Sequence, residues 1–281
     1  MSIVIGIDVG GSTTKIVGIS KDAKDIKSPM VVKAGDPITS LFGAFGKYIY
    51  DNGILLDDIE HVMLTGVGAS SVETPIYGLP TTHVDEFRAD GLGARFSSGL
   101  GQLIVVSMGT GTTLVKVDGE TISHIGGISM GGGSLQGLSR LMLNTSHIDE
   151  VVEMAALGDI SHINLQIKDI SKGDIEGLPM HATASLFGKA VESNATPNDI
   201  AKGLICMVLE TIGSCAVLSQ VNDGFKDFVL IGNLTQLPEC SIIFPMMESL
   251  YGVRFHIPKH ARYCTALGAA LSYQELTQQP S

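Results

Sequence analysis

The apolar residues of this chain fall into two patterns, short continuous runs and longer stretches with helical spacing. The continuous runs predict buried strands at 3–8, 12–19, 59–66, 253–258 and within 102–128. Apolar residues at helical spacing predict helices at 41–49, 87–96, 129–143, 145–157, 197–221 and 265–276, and residues 228–238 predict a strand, a glycine turn and a helix. Periodicity is weak over 158–195, which stays open. The order of these elements indicates an α/β protein.

The first two strands are separated by only a few residues, which predicts a hairpin with Gly10 and Gly11 in its tight turn. The same pattern returns later in the chain, because IDVGGSTTKIV from Ile7 aligns with VSMGTGTTLVK from Val106. The alignment pairs Gly10 with Gly109, Thr13 with Thr112, Thr14 with Thr113 and Asp8 with Ser107. The repeat predicts two similar lobes, each of which opens with a hairpin.

Turns rich in glycine and hydroxyl residues present backbone N–H groups to an anion, and glycine lets the anion approach closely. Two such turns that face each other would hold a polyphosphate. The candidate phosphate-binding residues are Gly10, Gly11, Ser12, Thr13 and Lys15 in the first turn and Gly109, Thr110, Gly111 and Thr112 in the second. Asp8, at a strand end, is a candidate ligand of Mg²⁺. The alternative is that both are ordinary hairpin turns.

Two further glycine-bearing segments fit a nucleotide site. The run Gly131, Gly132 and Gly133 precedes a predicted helix, whose free N–H groups and dipole favour phosphate. Gly232 and Asn233 follow a predicted strand and are candidates to contact the adenosine. A plain strand-to-helix connection is the alternative for this second segment.

Composition and charge narrow the class of protein. The 281 residues carry 18 Lys and Arg against 29 Asp and Glu, a net charge of −11, which disfavours nucleic acid and anionic membranes as partners. We expect no apolar stretch near the ~20 residues of a membrane helix and no secretory signal. The four cysteines form no CxxC pair, which fits a reducing cytoplasm and disfavours disulfides and metal sites.

Together these segments resemble the sugar kinase, Hsp70 and actin superfamily, and within it the type II pantothenate kinases. The resemblance rests on DVGGSTTKIV (8–17), DEF (85–87), SMGTGTT (107–113), GGISMGGGSLQGL (126–138), TASLFG (183–188), LIGN (230–233) and TALGA (265–269). It implies two lobes of ribonuclease H-like, actin-like ATPase fold with a nucleotide cleft between them. We expect residues 1–104, completed by the helix 265–281, to form the N-terminal lobe, and residues 105–264 the C-terminal lobe.

The same resemblance implies an enzyme, a homodimer that uses ATP and Mg²⁺ to phosphorylate pantothenate to 4′-phosphopantothenate, the first step of coenzyme A biosynthesis. It assigns Glu86 as the general base and Thr183 as a contact of the acceptor. Where the family has an arginine two residues before the GG of its long glycine block, this chain has His124. We therefore name Glu86 and His124 as candidate catalytic residues, with Arg88 or Arg95 as candidates for the missing charge.

Three alternatives remain open on the sequence. The lost arginine fits a catalytically weak nucleotide-binding sensor. The ATP-binding segments are equally compatible with a kinase of another small alcohol or an amino sugar. The third alternative is an ATPase that drives electron transfer to a CoA-thioester dehydratase, because such activators share the fold that the resemblance implies. They carry an iron–sulfur cluster at the dimer interface, ligated by closely placed cysteines, whereas Cys206, Cys215, Cys240 and Cys264 are scattered.

Overall fold

The structure, a computed structural model, describes residues 2–33, 35–173, 175–191 and 194–278. The described residues form twelve strands, which in chain order are β1 (Ile3–Val9), β2 (Thr13–Ser20), β3 (Met30–Lys33), β4 (Ile59–Thr65), β5 (Thr81–His83), β6 (Gln102–Met108), β7 (Thr112–Asp118), β8 (Thr121–Ile128), β9 (Leu165–Gln166), β10 (Thr183–Ser185), β11 (Asp227–Ile231) and β12 (Arg254–His256). Both predicted hairpins are confirmed, as β1–β2 and β6–β7.

The described residues also form nine α-helices. They are α1 (Pro37–Asn52), α2 (Glu86–Ser98), α3 (Gly132–Leu143), α4 (Ile148–Ala156), α5 (Ile167–Ile170), α6 (Pro197–Leu218), α7 (Cys240–Tyr251), α8 (Cys264–Leu271) and α9 (Tyr273–Gln278). Thr196 caps α6 through a reciprocal pair of hydrogen bonds with Asp199. The predicted C-terminal helix is divided into α8 and α9, and its residues 279–281 lie outside the described residues.

The two large sheets have the same topology, which confirms the predicted internal duplication. The first runs β3-β2-β1-β4-β5 and the second β8-β7-β6-β11-β12 when read in the matching direction. In each, the first three strands pair antiparallel and the other two join in parallel. The α/β fold class is therefore confirmed, with two similar sheets of five strands.

Each half of the chain also has a glycine with a positive φ at the end of the equivalent strand. Gly66 follows β4 with φ of 94°, and Gly232 follows β11 with φ of 95°. A Cβ atom on Gly66 would lie 2.6 Å from the carbonyl oxygen of Val9, and one on Gly232 would lie 2.5 Å from that of Met108. Val9 and Met108 occupy equivalent positions of the sequence repeat. The positive φ and the close approach together exclude a side chain at either position.

Each sheet is covered on both faces. On the first sheet, α1 packs on one face and α8 on the other, whereas the second sheet carries α3, α4, α6 and α7 on one face and α2 on the other. Helices α2 and α8 therefore lie between the sheets and contact each other. The lobe boundaries at 104/105 and 264/265 stay a prediction.

Some elements differ from those the sequence predicts. The helix expected within 228–238 is a 3₁₀ turn at Asn233–Gln236, and the helix itself is α7, which follows Pro238. The open region 158–195 contains α5 and the small β9–β10 sheet, while residues 174, 192 and 193 lie outside the described residues. Strands β3 and β5 were not predicted, because three or four residues give no usable periodicity.

The expectation that no segment approaches the length of a membrane helix is also wrong. Helix α6 is 22 residues long and apolar enough to cross a membrane by length and composition. In the structure, 61% of its most apolar 18-residue window is buried. The helix reads as apolar because it forms the centre of the larger core, with Leu204, Val208 and Ile212 fully or almost fully buried.

The contact between α2 and α8 depends on glycine. A Cβ atom on Gly93 of α2 would lie 2.1 Å from the carbonyl oxygen of Cys264, and one on Gly268 of α8 would lie 1.7 Å from that of Ala89. Both neighbours are backbone atoms, which cannot rotate away. Two backbones that approach this closely fix the distance between the helices that lie between the two sheets.

We predict that Gly268→Ala lowers the free energy of unfolding by about 3 kcal/mol, because the new methyl group forces the two backbones apart. Gly137→Ala in α3 is the matched control, since nothing lies within 4 Å of the position that its methyl group would take. An exposed helical alanine should be neutral or stabilise by about 0.5–1 kcal/mol. Urea unfolding with unchanged m-values measures both. Equal stability of the two variants would contradict the close helix contact.

Candidate active site

Most of the candidate site residues predicted from the sequence line one cleft of about 570 Å³. A volume of this size is typical of a small-molecule site. Its lining consists of Asp8, Gly10, Gly11, Ser12, Thr13, Lys15, Val67, Glu86, Ser107, Gly109, Thr110, Gly111, Thr112, Thr113, Gly127, Ile128, Ser129, Gly232, Asn233 and Thr265. Both glycine-rich turns, Asp8 and Glu86 therefore share one cavity.

The first wall is built around a buried ion pair between neighbouring strands. Asp8 of β1 lies opposite Lys15 of β2, and the Lys15 Nζ atom is 3.0 Å from Asp8 Oδ2. The two side chains are only 6% and 8% exposed. Gly66 leaves room for the carboxylate, since a Cβ atom there would lie 2.6 Å from Asp8 Oδ1. Lys15 therefore pairs with Asp8, and its predicted contact with phosphate stays a prediction.

The second wall is the turn at 109–111, and the glycine run at the start of α3 supports it from behind. The amides of Gly132 and Gly133 donate to the carbonyl oxygens of Gly109 and Thr110, at 2.8 and 2.9 Å. A Cβ atom on Gly131 would lie 2.5 Å from the Thr110 carbonyl oxygen. These glycines are required for packing, and the amides of Gly132 and Gly133 are already bonded.

The glycine run lies outside the cleft lining, and its contact with phosphate stays a prediction. We expected Gly131, Gly132 and Gly133 to bind phosphate, but they do not line the cleft. The amides of Gly11, Ser12, Thr110 and Gly111, in contrast, make no hydrogen bond within the described part of the chain. The two turns therefore present available donors to the cleft.

The two turns face each other across the cleft. A Cβ atom on Gly11 would lie 3.7 Å from the Thr110 hydroxyl oxygen. Asn233 links the walls a second time, because its side-chain amide donates to the Thr13 hydroxyl at 3.1 Å and its oxygen accepts from Arg262 Nε at 3.3 Å. Phosphate oxygens between the turns would meet donors from both sides.

Glu86 is the first residue of α2 and lies on the cleft wall. Burial raises the pKa of its carboxyl group, and the nearby Asp8 carboxylate raises it further. The preceding residue, Asp85, has a structural role, since its side chain accepts from the Arg88 amide at 2.9 Å and caps the helix. Of the two adjacent acids, only Glu86 lines the cleft.

Three other candidates are not among the cleft-lining residues. His124 is exposed on β8, and its ring stacks on Phe87 with centroids 4.1 Å apart. Arg88 pairs with Glu275, and Arg95 with Glu120. Carboxylates of α9 and of the β7–β8 turn pair with these arginines, and the assignment of either one to the missing charge stays a prediction. The catalytic role of His124 stays a prediction without support from the cleft geometry.

Thr183 lies in a separate groove of about 340 Å³. Its hydroxyl donates to Glu210 Oε1 of α6 at 3.2 Å, and burial raises the pKa of that carboxyl group. The groove also contains Ser214 and Cys215. The acceptor contact assigned to Thr183 stays a prediction.

The cleft also contains residues that the sequence analysis did not select. Ser107 and Thr265 line its floor, and Val67 occupies the position after Gly66 that Asn233 occupies after Gly232. The repeat alignment already paired Ser107 with Asp8, so that signal was available. Thr265 lies in the TALGA segment, but no residue pattern indicated that a C-terminal helix would reach the floor.

The fold defines the class of protein. The chain superposes on the activator of the 2-hydroxyisocaproyl-CoA dehydratase from Clostridium difficile with bound ADPNP, with a TM-score of 0.67, 17% sequence identity and 99% coverage of both chains. At this identity the likeness shows the fold alone. Two matching sheets around one cleft make it an actin-like ATPase fold.

Sequence comparison gives the family. A family model described as Fumble matches residues 101–272, more than half of the chain, and the chain belongs to that family. It is 25% identical over 241 residues to a type II pantothenate kinase from Bacillus thuringiensis subsp. konkukian (strain 97-27), and the alignment covers 83% of this chain and 83% of that relative. It is 28% identical over 237 residues to a type II pantothenate kinase from Staphylococcus aureus (strain USA300), with 82% of this chain and 84% of that relative covered.

We predict that Lys15→Met lowers the free energy of unfolding by about 3–5 kcal/mol, because it leaves the Asp8 carboxylate buried without its partner. Lys27→Met is the control, since Lys27 pairs with Asp25 at an exposed site and should change stability by less than about 1 kcal/mol. The double variant Asp8→Asn/Lys15→Met should recover part of the loss. Chemical denaturation measures all three. A Lys15→Met variant as stable as Lys27→Met would contradict the buried pair.

Proposed function

We propose that this protein is an ATP-dependent pantothenate kinase, which transfers the γ-phosphoryl group of ATP to the primary hydroxyl of pantothenate and forms 4′-phosphopantothenate. The observation that carries the proposal is the cleft, where one carboxylate at a strand end, two facing glycine–threonine turns and a second carboxylate, Glu86, line a single cavity. Family membership and the two type II pantothenate kinases among its relatives support the same reaction.

The cleft fits a nucleotide polyphosphate through its backbone. The available amides of Gly11, Ser12, Thr110 and Gly111 lie on both sides of the cavity, and the hydroxyls of Ser12, Thr13 and Thr110 add donors. We assign the adenosine to the side of Gly232 and Asn233. An acidic protein of net charge −11 can bind an anion in this way without a basic surface.

Asp8 is the residue we assign to Mg²⁺. Magnesium is commonly held by one or two carboxylates together with water and phosphate oxygens, so a single strand-end carboxylate suits it. Among the described residues, no group of three or more His, Cys, Asp or Glu side chains could hold a metal by itself. When bound, Mg²⁺ neutralises charge on the phosphates.

In the proposed reaction, the hydroxyl oxygen of the acceptor forms a bond to the γ-phosphorus, and the bond between this phosphorus and the bridging oxygen breaks to release ADP. Glu86 takes the hydroxyl proton as the new bond forms. Its raised pKa makes Glu86 a stronger base than an exposed carboxylate. The amides of the two turns hold the transferred group in place.

The alternatives are less well supported. A catalytically weak sensor would not need the partly buried carboxylate of Glu86 on the cleft wall near Asp8. The role of a dehydratase activator requires closely placed cysteines at an interface, whereas Cys206, Cys240 and Cys264 are buried inside the protein and scattered along the sequence. A kinase of another alcohol or an amino sugar uses the same ATP site, so an assay of the acceptor decides between them.

We extend the proposal to the organisation of the protein. The lobes divide at residues 104/105, with the C-terminal helix returning to the first lobe, in keeping with the packing of α8 on β1, β2 and β4. The protein works as a homodimer in the cytoplasm, without nucleic acid or membrane as a partner. Support for these points comes from the family resemblance and the acidic composition.

We predict that Glu86→Gln lowers kcat by about 10²–10⁴-fold, because glutamine cannot accept the proton, while the Kd for ATP changes by less than about threefold. Asp85→Asn is the control, since asparagine caps a helix as well as aspartate and the side chain lies outside the cleft. A coupled ADP-release assay and calorimetry give the two quantities. Full turnover in Glu86→Gln would remove the assignment of the base.

The acceptor is tested by ADP release with pantothenate, pantetheine and N-acetylglucosamine offered separately. We expect release that depends on pantothenate, with phosphorylated product detected by mass spectrometry in equal amount. ADP release that depends only on the amino sugar would show that the acceptor is an amino sugar, while the protein would still be a kinase. Tight ATP binding without any acceptor-dependent turnover would favour the sensor.

A further inference from the structure

Arg262 lies beside the cleft and contacts the cleft lining through a neutral side chain. Its Nε atom donates to the Asn233 side-chain oxygen at 3.3 Å, and Asn233 lines the cleft. Arg88 and Arg95 pair with carboxylates, whereas Arg262 has no such partner in the part of the chain that the structure describes. The contact with Asn233 is therefore the interaction of this guanidinium that needs an explanation.

The chemistry of arginine decides which end of the Asn233 amide faces which neighbour. A guanidinium carries only N–H donors, so it selects the oxygen of the amide. The amide nitrogen is then directed to the other side, where it donates to the Thr13 hydroxyl oxygen at 3.1 Å. An amide rotated by half a turn would place its NH₂ group against the guanidinium, so that two donors would face each other. Arg262 therefore fixes the orientation of Asn233.

This orientation decides what the Thr13 hydroxyl can do. A hydroxyl has one hydrogen to donate and two lone pairs that accept. Because Asn233 donates to the oxygen of Thr13, the hydrogen of this hydroxyl stays available, and it has no acceptor among the described residues. Thr13 lines the cleft in the turn where we propose that the phosphates bind. The chain of contacts from Arg262 through Asn233 thus presents one donor to the cleft.

The equivalent threonine of the internal repeat is arranged differently. Thr112 aligns with Thr13, but its hydroxyl donates to the Met130 carbonyl oxygen at 2.8 Å, so its hydrogen is already used. The residue that matches Asn233 in the first half of the chain is Val67, whose side chain has no polar atom. A valine cannot form the bond that Asn233 forms. The bridge therefore belongs to one half of the repeat, which indicates a specific use of the Thr13 hydroxyl.

We propose, on the basis of the proposed kinase function, that Arg262 is a positioning residue for the bound nucleotide. It holds the Asn233 amide so that the Thr13 hydroxyl donates its hydrogen to a phosphate oxygen. Arg262 is not among the cleft-lining residues and touches neither the nucleotide nor the acceptor in this arrangement. A solely structural role would be to join the turn Ala261–Tyr263 to the turn Asn233–Gln236, and such a role would not depend on Thr13.

A double-mutant cycle between Arg262 and Thr13 separates the two roles, with the Kd for ATP and Mg²⁺ measured by calorimetry. Thr13→Val removes the donor and should raise the Kd about tenfold, as expected for the loss of a hydrogen bond to a charged group. Arg262→Met removes the orienting donor and should raise the Kd about fivefold. Both substitutions together should stay within about twofold of Thr13→Val alone, whereas independent effects would multiply to about fiftyfold.

Arg254→Met is the matched control, because Arg254 pairs with Asp227 and does not line the cleft. It should leave the Kd for ATP within about twofold of the wild-type value. Circular dichroism shows whether each variant is folded. Effects of Arg262→Met and Thr13→Val that multiply, or a wild-type Kd in Arg262→Met, overturn the proposal.

Asn233→Asp is a second test, which also serves if Arg262→Met does not fold. Aspartate keeps an oxygen for Arg262 but has no hydrogen for Thr13, so the Thr13 hydroxyl must donate to the new carboxylate. In the Asn233→Asp protein, Thr13→Val should therefore change the Kd for ATP by less than about twofold. A further loss of about tenfold in that background would show that Asn233 does not direct the Thr13 hydroxyl, and it overturns the proposal.

Calorimetry measures ATP binding and needs no turnover. A protein that binds ATP but phosphorylates no acceptor would contradict the proposed kinase, while the cycle would still decide the role of Arg262. A protein that phosphorylates pantothenate without coupling between Arg262 and Thr13 would contradict this inference and leave the kinase. A wild-type protein that does not bind ATP would contradict both.

Discussion

The cleft depends on backbone segments that approach one another more closely than any side chain would allow. Gly66 and Gly232 hold a positive φ and lie against the first strand of each sheet, and Gly131 lies against the 109–111 turn. These contacts open the space in front of the strand ends and fix the two turns face to face. A methyl group at any of the three positions would collide with backbone, so the shape of the site is set by glycine rather than by its polar residues.

Several cationic side chains in and near the cleft are paired with carboxylates. Lys15 forms an ion pair with Asp8, and Arg88 and Arg95 form ion pairs with surface carboxylates. The backbone amides of the two turns supply further hydrogen-bond donors. Binding by fixed dipoles costs little reorganisation, because the turns are already held by Gly132, Gly133 and Asn233. Burial and the nearby Asp8 carboxylate raise the pKa of the Glu86 carboxyl group, which suits a base that must take a proton from an alcohol.

The sequence predicted those parts of the fold that local pattern determines. Continuous apolar runs and glycine turns were sufficient for β1–β2 and β6–β7, and their alignment predicted the duplication that the sheet orders confirm. Two short edge strands and the start of α7 were missed, since they depend on the neighbours they pair with. The site was predictable where residues are close in sequence, as for Asp8 and Lys15. The packing of Gly131 and Gly133 against the 109–111 turn was not predictable, because it depends on contacts with Thr110, which comes from another element.

We propose that both turns contact the same bound nucleotide. Amide hydrogen exchange of residues 10–13 and 109–113, measured by mass spectrometry with and without ATP and Mg²⁺, tests it most directly. We expect the two segments to gain protection together and at the same ATP concentration. Protection confined to one turn, or found only at other segments, would contradict a shared site.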